Sequence, residues 1–485
     1  MMQRVALAAL SMYGGLMWLV QPLVRAKLAR RAQAEPLYGE YTGERFGDYT
    51  APDAINAVTL VPIPIPIPIP IPIPIPIPSA SQPLVWVHAV SLGETRAAAI
   101  LIAQLRLLMP TMRLLLTHST ATGRAEGAAL LQPGDVQAWL PWDTAGACQR
   151  FLAHFAPHIG VLMETEVWPQ MCAQARAARV PLVLVNARLS EKSLRAAQRL
   201  SAIARPAYAA LTGVLAQTQA DAARLCATGA AVQAVVGNLK FDAKRDEALW
   251  NQGRAWRRAV GAVGVAGRQV VMLAASREGE EEQFLEEIMA LASVEYAQAA
   301  IKNIASDKPD ALPPEASKVL WLVVPRHPQR FDAVAQLFKT AGMHVARRSD
   351  WQGAVPAAAL QADVWLGDSM GEMAQYYALA DVALLGGSFA RLGGQNLIEA
   401  IACDCPVIMG PHTFNFDEAA RTAQTQGAAV RVADMKAGVE TALQLIGQPA
   451  QRAAMQASGR VWLRQSSGAA ERTARAIAAV LSGTA

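Results

Sequence analysis

Short apolar runs alternate with helical segments along this chain from about residue 80 to its end. Continuous apolar strands separated by helices are typical of parallel sheets that are covered by helices on both faces. In the first half of the chain, strands are predicted at residues 84–87, 113–116, 138–140, 159–163, 182–185, 214–216 and 232–236. In the second half, strands are predicted at residues 270–274, 319–324, 344–346, 364–366, 382–385, 407–409 and 429–432. Two such series predict an α/β chain with two Rossmann-like domains.

The predicted domain boundary lies in a polar stretch without strand character, residues 242–267. Residues 295–318 hold three prolines and mixed charge, which is typical of a surface insertion. The predicted segments are an anchor helix with a basic flank at 1–31, a connector at 32–79, Rossmann-like domains at 80–245 and 246–465, and a C-terminal helix and tail at 466–485.

The N-terminal apolar run predicts a membrane anchor. Residues 5–20 carry no charge and the apolar character continues to Val24, which is about the length of a slightly short transmembrane helix. The basic residues that follow the run are Arg25, Lys27, Arg30 and Arg31. Because only Arg4 and the amino terminus precede it, the charge balance predicts a single-pass signal anchor with the body on the cytoplasmic side. A cleaved signal peptide is the alternative, but it would carry its charge before the run.

Strict Pro-Ile alternation occupies residues 62–78. Proline at every second position excludes a helix or an interior strand, so this tract is predicted to be an extended, polyproline-II-like spacer. At about 3.1 Å per residue it would reach roughly 50 Å. A rigid strut and a neutral repeat expansion in a tolerant connector are both compatible with the pattern.

The composition argues against several classes of protein. A hydrophobic content of 53% supports large cores and is also compatible with membrane contact. A net charge of +5 without a dense Lys/Arg cluster argues against a nucleic-acid partner. Five cysteines without a Cys-x-x-Cys pair are predicted to be reduced and mostly buried. The seven histidines are scattered, so we expect no metal site and no cofactor.

The glycine-rich segment at residues 386–399 follows a short apolar strand and precedes a helix that opens near Asn396. A helix N-terminus presents unpaired N–H groups, and glycines allow close approach to the backbone. This segment is therefore predicted to bind an anion, most simply the phosphate of a nucleotide. A tight strand-to-helix turn without a ligand is the alternative.

Other polar loops follow the predicted strands. Ligands of open α/β sheets bind beyond the carboxyl ends of the strands. In the first half these loops are residues 91–95, 117–123, 141–143, 164–169, 186–190 and 237–242. In the second half they are residues 276–281, 325–328, 367–372, 386–399 and 410–416. Two such rows predict a cleft with one ligand on each side.

Taken together, the loops resemble those of the Kdo (3-deoxy-D-manno-octulosonic acid) transferases of lipopolysaccharide biosynthesis. The matching motifs begin with Glu-Arg-Phe-Gly at 44–47 and end with Thr-Phe-Asn-Phe at 413–416. Between them lie His-Ala-Val-Ser-Leu-Gly-Glu at 88–94, Glu-Thr-Glu-Val-Trp-Pro at 164–169 and Pro-Arg-His-Pro at 325–328. The resemblance therefore covers most of the chain.

The resemblance implies a GT-B fold, in which two Rossmann-like domains face each other across a cleft, and an N-terminal anchor in the cell inner membrane. It also implies CMP-Kdo as donor, a lipid A precursor (lipid IVA) as acceptor, and an inverting, metal-independent transfer. The Pro-Ile tract departs from the family pattern. Another departure is Gly-Gly-Gln-Asn-Leu-Ile-Glu at 393–399, where many members have Gly-Gly-His-Asn-Pro-Leu-Glu, so the role of Gln395 is open.

In the first domain, the resemblance implies that Glu94 is the base that takes the proton of the acceptor hydroxyl. From its position alone, Glu94 could instead complement a helix N-terminus. Ser91 and Gly93 are predicted to shape the acceptor pocket. Glu164 and Glu166 either orient substrate hydroxyls or hold Arg188 in an ion pair.

In the second domain, the resemblance implies that CMP is bound by Pro325, Arg326, Met370, Gly371, Glu372, Asn396, Leu397, Ile398 and Glu399. Arg326 suits bidentate phosphate contact, and Glu399 is placed to bind ribose hydroxyls. Further possible contacts to the phosphate or donor are His327, Ser388, Gly393 and Gly394, and His327 could equally be structural. Residues 413–416 are assigned no catalytic role.

Two other classes of function share part of the pattern. A GT-B enzyme that uses a UDP-sugar, as transferase or epimerase, would share the glycine turn but not the motifs at 88–94 and 164–169. An anchored scaffold or lipid-binding protein would be expected to have lost the polar loop residues, and nearly all are present here.

Overall fold

The computed structural model describes residues 2–49, 82–263, 267–291 and 319–483. The chain divides into two compact units, one formed by Met1–Ala243 with Ser466–Ala485 and the other by Lys244–Gln465. The predicted Pro-Ile spacer at 62–78 and the predicted insertion at 295–318 lie outside the described residues.

The first unit is built around seven parallel strands. Its elements are α1 (Met2–Leu19), α2 (Gln21–Ala34), β1 (Leu84–His88), α3 (Leu92–Leu108), β2 (Arg113–His118), α4 (Ala121–Ala128), β3 (Val136–Trp139), α5 (Ala145–Phe155), β4 (Ile159–Met163), α6 (Pro169–Ala177), β5 (Leu182–Ala187), α7 (Glu191–Arg199), α8 (Ser201–Ala209), β6 (Gly213–Ala216), α9 (Gln219–Thr228) and β7 (Val232–Val235). The strand order is β3-β2-β1-β4-β5-β6-β7. The order reverses between β1 and β4, and a crevice opens beyond the strands at such a switch point.

Both faces of this sheet are buried, as the apolar strands predict. Successive side chains of a strand point to opposite faces. In β1, Val85 and Val87 pack into one hydrophobic core and Trp86 into the other. All three are fully buried. The edge strand β7 differs, because its last three residues are exposed.

Helix α1 lies against the body of the first unit, where it packs on α6 and α8. The indole N–H of Trp142 donates to the carbonyl of Met17 (2.9 Å), and the Gln170 amide donates to the carbonyl of Leu10 (2.9 Å). A Cβ at Gly14 would lie 2.6 Å from Gln170 Nε2, so glycine permits this close approach. Large apolar side chains of the helical pair are exposed at Leu7, Met12, Leu16, Trp18, Leu19 and Leu23.

Across residues 2–49, 82–263, 267–291 and 319–483, no helix by itself has the length and apolar character needed to cross a membrane. The helices Arg4–Leu19 and Gln21–Ala34, bent by 45° at their junction, meet these criteria only as a pair.

The second unit also contains seven parallel strands. Its elements are α10 (Glu247–Gly261), β8 (Gln269–Ser276), α11 (280–291), β9 (Val319–Pro325), α12 (Phe331–Thr340), β10 (Val345–Arg347), α13 (Ala357–Leu360), β11 (Val364–Leu366), α14 (Met373–Leu379), β12 (Val382–Leu385), α15 (Leu397–Ala402), β13 (Val407–Met409), α16 (Asp417–Thr425), β14 (Ala429–Arg431), α17 (Met435–Ile446) and α18 (Pro449–Ser466). The strand order is β10-β11-β9-β8-β12-β13-β14, with its reversal between β8 and β12.

The last helix returns to the first unit. Helix α19 (Ala469–Ser482) packs on α3, and its buried residues Ala470, Ala474 and Ile477 belong to the same core as Val85 and Val87. The carboxylate of Asp242 accepts hydrogen bonds from the N–H groups of Gly468 (2.5 Å) and Ala470 (2.6 Å), which joins α19 to the end of the first Rossmann-like segment.

The fourteen strands of the described residues confirm the predicted alternation of apolar runs and helices, with boundaries that differ by at most two residues. The prediction of reduced, mostly buried cysteines is also confirmed. All five are free thiols, and Cys226 alone among them is exposed.

Candidate active site

The loops after β1 and β4 lie at the switch point of the first sheet. Strands β1 and β4 pair in parallel, with His88 opposite Leu162. The loop after β1 carries Glu94, and the loop after β4 carries Glu164 and Glu166. The topology therefore brings together residues that are 70 positions or more apart in the sequence.

Glu94 sits in the first turn of α3, and its carboxylate accepts two hydrogen bonds. The N–H of Val90 donates to Oε2 (3.0 Å) and the hydroxyl of Ser91 donates to Oε1 (3.1 Å). Glu94 is thus an acidic residue that complements the N-terminus of the helix, although the side chain of the N-cap residue Ser91 accepts no capping hydrogen bond. The helix-capping alternative is therefore realised, and it also fixes the direction of the carboxylate. The neighbouring Gly93 is exposed and leaves the approach to Glu94 open.

Of the two carboxylates Glu164 and Glu166, it is Glu164 that pairs with Arg188. Glu164 accepts a 2.7 Å hydrogen bond from Nε of Arg188, so it is the residue that forms the ion pair. It is buried and has a left-handed backbone (φ 54°), a conformation that costs free energy and occurs often at functional sites. Glu166 instead accepts from the indole N–H of Trp168 (2.9 Å) and from the hydroxyl of Thr165 (3.4 Å).

The three glutamates form one electrostatic cluster. Burial raises the pKa of Glu94 above its usual range, and the charge of Glu164 adds to the rise. Burial, followed by the charge of Glu94, raises the pKa of Glu166 to about 7. Like charges held close together in a partly buried site favour retention of a proton. The cluster is therefore suited to accepting and holding protons near neutral pH.

Two buried histidines line the strands beneath this cluster. Burial lowers the pKa of His88 to about 3 and that of His118 to about 4, so both are neutral. Nδ1 of His118 lies 2.9 Å from the carbonyl of Ala89. Nε2 of His88 lies 3.9 Å from Oε2 of Glu166. The sequence argument gave His88 no role, although it opens the motif that contains Glu94.

At the switch point of the second sheet, the carboxylate of Glu280 occupies the glycine-rich turn. Oε2 accepts from the N–H groups of Gly387 (2.7 Å) and Arg277 (2.9 Å), and Oε1 accepts from those of Phe389 and Ala390 (both 3.1 Å). Glu280 is fully buried. The turn is an anion site, as predicted, but its anion is a side chain of the same chain. Three N–H groups of the turn, those of Gly387, Phe389 and Ala390, are therefore already used.

Other predicted phosphate contacts in this turn have structural roles. The buried hydroxyl of Ser388 donates to the carbonyl of Leu385 and accepts from the N–H of Gly410, so it has no proton left for a phosphate. Gly393 has φ 89°, and a Cβ there would lie 2.4 Å from the amide of Asn415. Gly393 and Gly394 are both buried and allow the loop at 412–415 to pack closely against the turn.

A basic cluster follows β8 and β9. Its members are Arg277, Arg326, His327 and Arg330. Burial and the charges of Arg277 and Arg326 lower the pKa of His327, whereas Glu278 opposes the shift. Arg277 pairs with Glu278 and Arg330 with Glu281. Within the part of the chain that the structure describes, the side chain of Arg326 has neither an ion pair nor a hydrogen bond, so Arg326 is free to bind an anion.

Asn396 caps α15, because its side chain accepts a hydrogen bond from the N–H of Ile398 (3.2 Å). Leu397 and Ile398 are buried, so only their backbone groups can contact a ligand. Glu399 lies in the first turn of α15 and is partly exposed. The charges of Glu399 and Arg326 both act on the buried hydroxyl of Tyr377, which places these two predicted contacts in one neighbourhood.

The predicted contacts after β11 are mixed in character. Met370 is exposed, and Gly371 has open space around it. The carboxylate of Glu372 accepts from Arg348 (2.9 Å) and from the hydroxyls of Ser369 and Tyr376.

Pro325 is buried at the end of β9. In the loop at 413–416, Phe414 is exposed beside a cavity of about 280 Å³ that is also lined by His412, Arg421 and Arg431.

No group of three or more His, Cys, Asp or Glu side chains in residues 2–49, 82–263, 267–291 and 319–483 is arranged to hold a metal ion. Sequence reasoning included the loop at 276–281 but gave Arg277 and Glu280 no role, and it did not identify Arg330. The available signal was their position in loops after strands, which did not distinguish structural from ligand-binding residues.

The two parallel-sheet units have the architecture of the GT-B fold. HepE from Anabaena in complex with UDP aligns with a TM-score of 0.52 at 14% identity, covering 83% of this chain and 100% of that one. A glycosyltransferase from Rickettsia africae aligns with a TM-score of 0.51 at 11% identity, covering 82% and 98% of the two chains. At these identities the similarity shows the fold alone.

A narrower assignment comes from sequence. The family model for 3-deoxy-D-manno-octulosonic-acid transferase (kdotransferase) matches residues 43–243. The 3-deoxy-D-manno-octulosonic acid transferase of Bordetella pertussis is 50% identical over 398 residues, which are 81% of this chain and 86% of that protein. The chain belongs to the family of Kdo transferases.

Proposed function

We propose that this protein transfers Kdo from CMP-Kdo to a lipid A precursor, lipid IVA, during lipopolysaccharide biosynthesis. The proposed reaction is inverting and uses no metal or cofactor. The supporting observation is the half-buried carboxylate of Glu94, held in a fixed direction by Val90 and Ser91 at the switch point of the first sheet.

Glu94 acts as the general base in this proposal. Its carboxylate takes the proton of an acceptor hydroxyl while the hydroxyl oxygen forms a bond to the anomeric carbon of Kdo. The bond from that carbon to the phosphate oxygen of CMP breaks, and the electron pair leaves with the phosphate. A base works best when its pKa approaches the working pH, and the pKa of Glu94 is raised in that direction.

The acceptor binds next to Glu94 in this proposal. Ser91 and Gly93 form one side of its pocket. Arg188 projects from the buried carboxylate of Glu164 and is itself half exposed, so part of its guanidinium is free to bind a phosphate or hydroxyl of the lipid A precursor. The ion pair with Glu164 fixes the position of Arg188. Glu166 faces the same cluster.

The donor binds to the second unit, with its phosphate on Arg326. This guanidinium lies in a cluster of cations, and charge near the leaving phosphate stabilises the negative charge that develops on it. His327 and Arg277 add donors on the same side. Because Glu280 occupies the glycine turn, the phosphate is assigned to the cations and not to that turn.

The remaining nucleotide contacts are assigned to the ends of β11 and α15. Glu399 binds the ribose hydroxyls, and Asn396 caps the helix from which Glu399 projects. The backbone groups of Pro325, Gly371, Leu397 and Ile398 line the nucleotide. Met370 and Glu372 border it. Gly393 and Gly394 contribute by holding the turn in shape.

We propose that α1 and α2 attach the protein to the inner membrane, with the body on the cytoplasmic side. The supporting features are the exposed apolar residues of these helices and the basic residues that follow them. A single membrane crossing remains a prediction, and it would require α1 to leave its contacts with α6 and α8.

The direct experiment is to incubate the purified protein with lipid IVA and CMP-Kdo generated in situ. Mass spectrometry of the lipid is expected to show the addition of Kdo, and an unchanged lipid would contradict the proposal. UDP-sugars offered in place of CMP-Kdo should give no product. Omission of divalent cations and addition of EDTA to the transfer step should leave the rate unchanged once CMP-Kdo has formed.

A further inference from the structure

The fully buried imidazole of His88 faces the carboxylate of Glu166. Nε2 of His88 lies 3.9 Å from Oε2 of Glu166. Among the described residues, Nε2 has no hydrogen-bond partner. An unpaired polar atom in a buried position is costly, so the nearby carboxyl is the group that can satisfy it.

The other ring nitrogen permits two hydrogen-bonding states. Nδ1 of His88 lies 3.1 Å from the carbonyl oxygen of Thr117 and 3.0 Å from its hydroxyl. If Nδ1 carries the proton, it donates to the carbonyl, and Nε2 is an acceptor that requires a protonated Glu166. If Nδ1 carries no proton, it accepts from the hydroxyl, and Nε2–H donates to an ionised Glu166. The imidazole is neutral in both states.

We propose that Glu166 holds a proton beside the ionised base Glu94, and that His88 changes tautomer to hydrogen-bond Glu166 in both of its protonation states. The inference rests on the proposed function of Glu94. Glu166 does not touch the reacting atoms in this proposal. It is a positioning residue, because its charge acts on the neighbouring groups of the cluster.

The charges around Glu166 favour this assignment. Glu94 and Glu164 face it with negative charge, and Arg188 is the cation paired with Glu164. With Glu166 protonated, the four groups carry one net negative charge, whereas ionisation leaves two. His118 and Arg45 act on His88 and disfavour its positive form. The pKa of Glu166, raised to about 7, agrees with a proton held near neutral pH.

A third ionised carboxylate would oppose binding of anionic substrates. The proposed donor and acceptor both carry negative groups, so ionisation of Glu166 should raise KM more than it lowers kcat. When Glu94 takes the acceptor proton, its charge disappears and Glu166 releases its proton to water more easily. When Glu94 later loses that proton to water, Glu166 takes one up again.

The test is the pH dependence of kcat/KM for wild type, Glu166→Gln and the control Glu126→Gln, whose glutamate forms a surface pair with Arg96. In wild type and the control, kcat/KM should show a descending limb above about pH 7. In this limb kcat/KM falls by up to tenfold per pH unit for a one-proton titration. Glu166→Gln mimics the protonated acid, so it should stay active and lack that limb.

Two results would overturn the inference. One is a descending limb that persists unchanged in Glu166→Gln, and the other is a folded variant that is inactive at every pH. If Glu166→Gln does not fold, Trp168→Phe replaces it. Loss of the indole N–H that donates to Oε2 of Glu166 should move the descending limb of the pH profile to higher pH. A limb that does not move counts against the inference. Wild-type protein inactive at every pH would instead refute the proposed function.

Discussion

The carboxylate of Glu280 accepts a 2.7 Å hydrogen bond from the backbone N–H of Gly387, across 107 positions of sequence. Gly387 has a left-handed backbone (φ 69°), which glycine adopts without strain. The contact joins the loop after β8 to the turn after β12 at the point where the strand order reverses. A glycine-rich turn that resembles a phosphate site in sequence is thus held in shape by an internal anion.

Replacement of Glu280 by glutamine should destabilise the second unit. The NH2 group of glutamine cannot accept a hydrogen bond, so the new side chain cannot satisfy all the N–H groups that Oε1 and Oε2 of Glu280 accept from. A buried hydrogen bond to a charged group contributes about 1.5–3 kcal/mol. The loss should be visible as a lower free energy of unfolding in urea. The matched control is Glu278→Gln on the same loop, where the side chain is more than half exposed and little change is expected. Equal stability of the two variants would refute the structural role of Glu280.

The Arg326→Ala variant should bind CMP more weakly than wild type and keep its fold. Arg326 is on a loop, so its loss removes no core packing, but it removes a charge-assisted contact worth roughly 1.5–3 kcal/mol, or about ten- to a hundredfold in affinity. Isothermal titration calorimetry with CMP measures the change. Lys339→Ala on the exposed face of α12 serves as the control. An unchanged affinity in Arg326→Ala would show that the nucleotide phosphate is bound elsewhere.

The stability of the protein should depend on pH through Glu166. Its pKa is about 7 in the folded protein and near 4.5 without the cluster, so the folded state binds this proton more tightly than the unfolded state. The corresponding stabilisation is complete below pH 4.5 and is lost as the pH rises through 7. Relative to Glu166→Gln, wild type should lose on the order of 2–3 kcal/mol over this range. Parallel stability curves for the two proteins would contradict the raised pKa.

Deletion of residues 1–24 should release the protein from membranes and leave both sheets folded, because every described strand follows residue 82. The truncated protein should still be less stable than the full chain, since the contacts of α1 with Trp142 and Gln170 are lost. Membrane flotation and thermal unfolding measure the two effects. Complete loss of folding would show that α1 is part of the core, and unchanged flotation would refute its role in attachment.

The architecture was predictable from sequence because it depends on local patterns. Each buried strand, such as the one at Ile159–Met163, is a continuous apolar run that is separated from the next by a helical segment. The strand order is not local, yet the parallel α/β pattern restricts it to a few topologies. The edge strand Val345–Arg347 was displaced by one residue, because an edge strand has a weaker apolar signal.

The site was predictable only in part. The position of Glu94 follows from its motif, whereas the occupancy of the glycine turn by Glu280 depends on a partner more than 100 residues away. The pairing of Arg188 with Glu164 and not with Glu166 is decided by side-chain geometry at the end of one strand. The docking of α1 through Trp142 and Gln170 likewise has no signature in an apolar run.

The most direct test of the account is the transfer rate of Glu94→Gln, measured with lipid IVA and CMP-Kdo generated in situ. The amide preserves the shape and can still accept from Val90 or Ser91, but it cannot take a proton. The account predicts normal folding, normal CMP binding and a transfer rate about 10²- to 10⁴-fold lower than wild type. A folded variant with near-normal turnover would contradict the account, because Glu94 would then have no part in the chemistry.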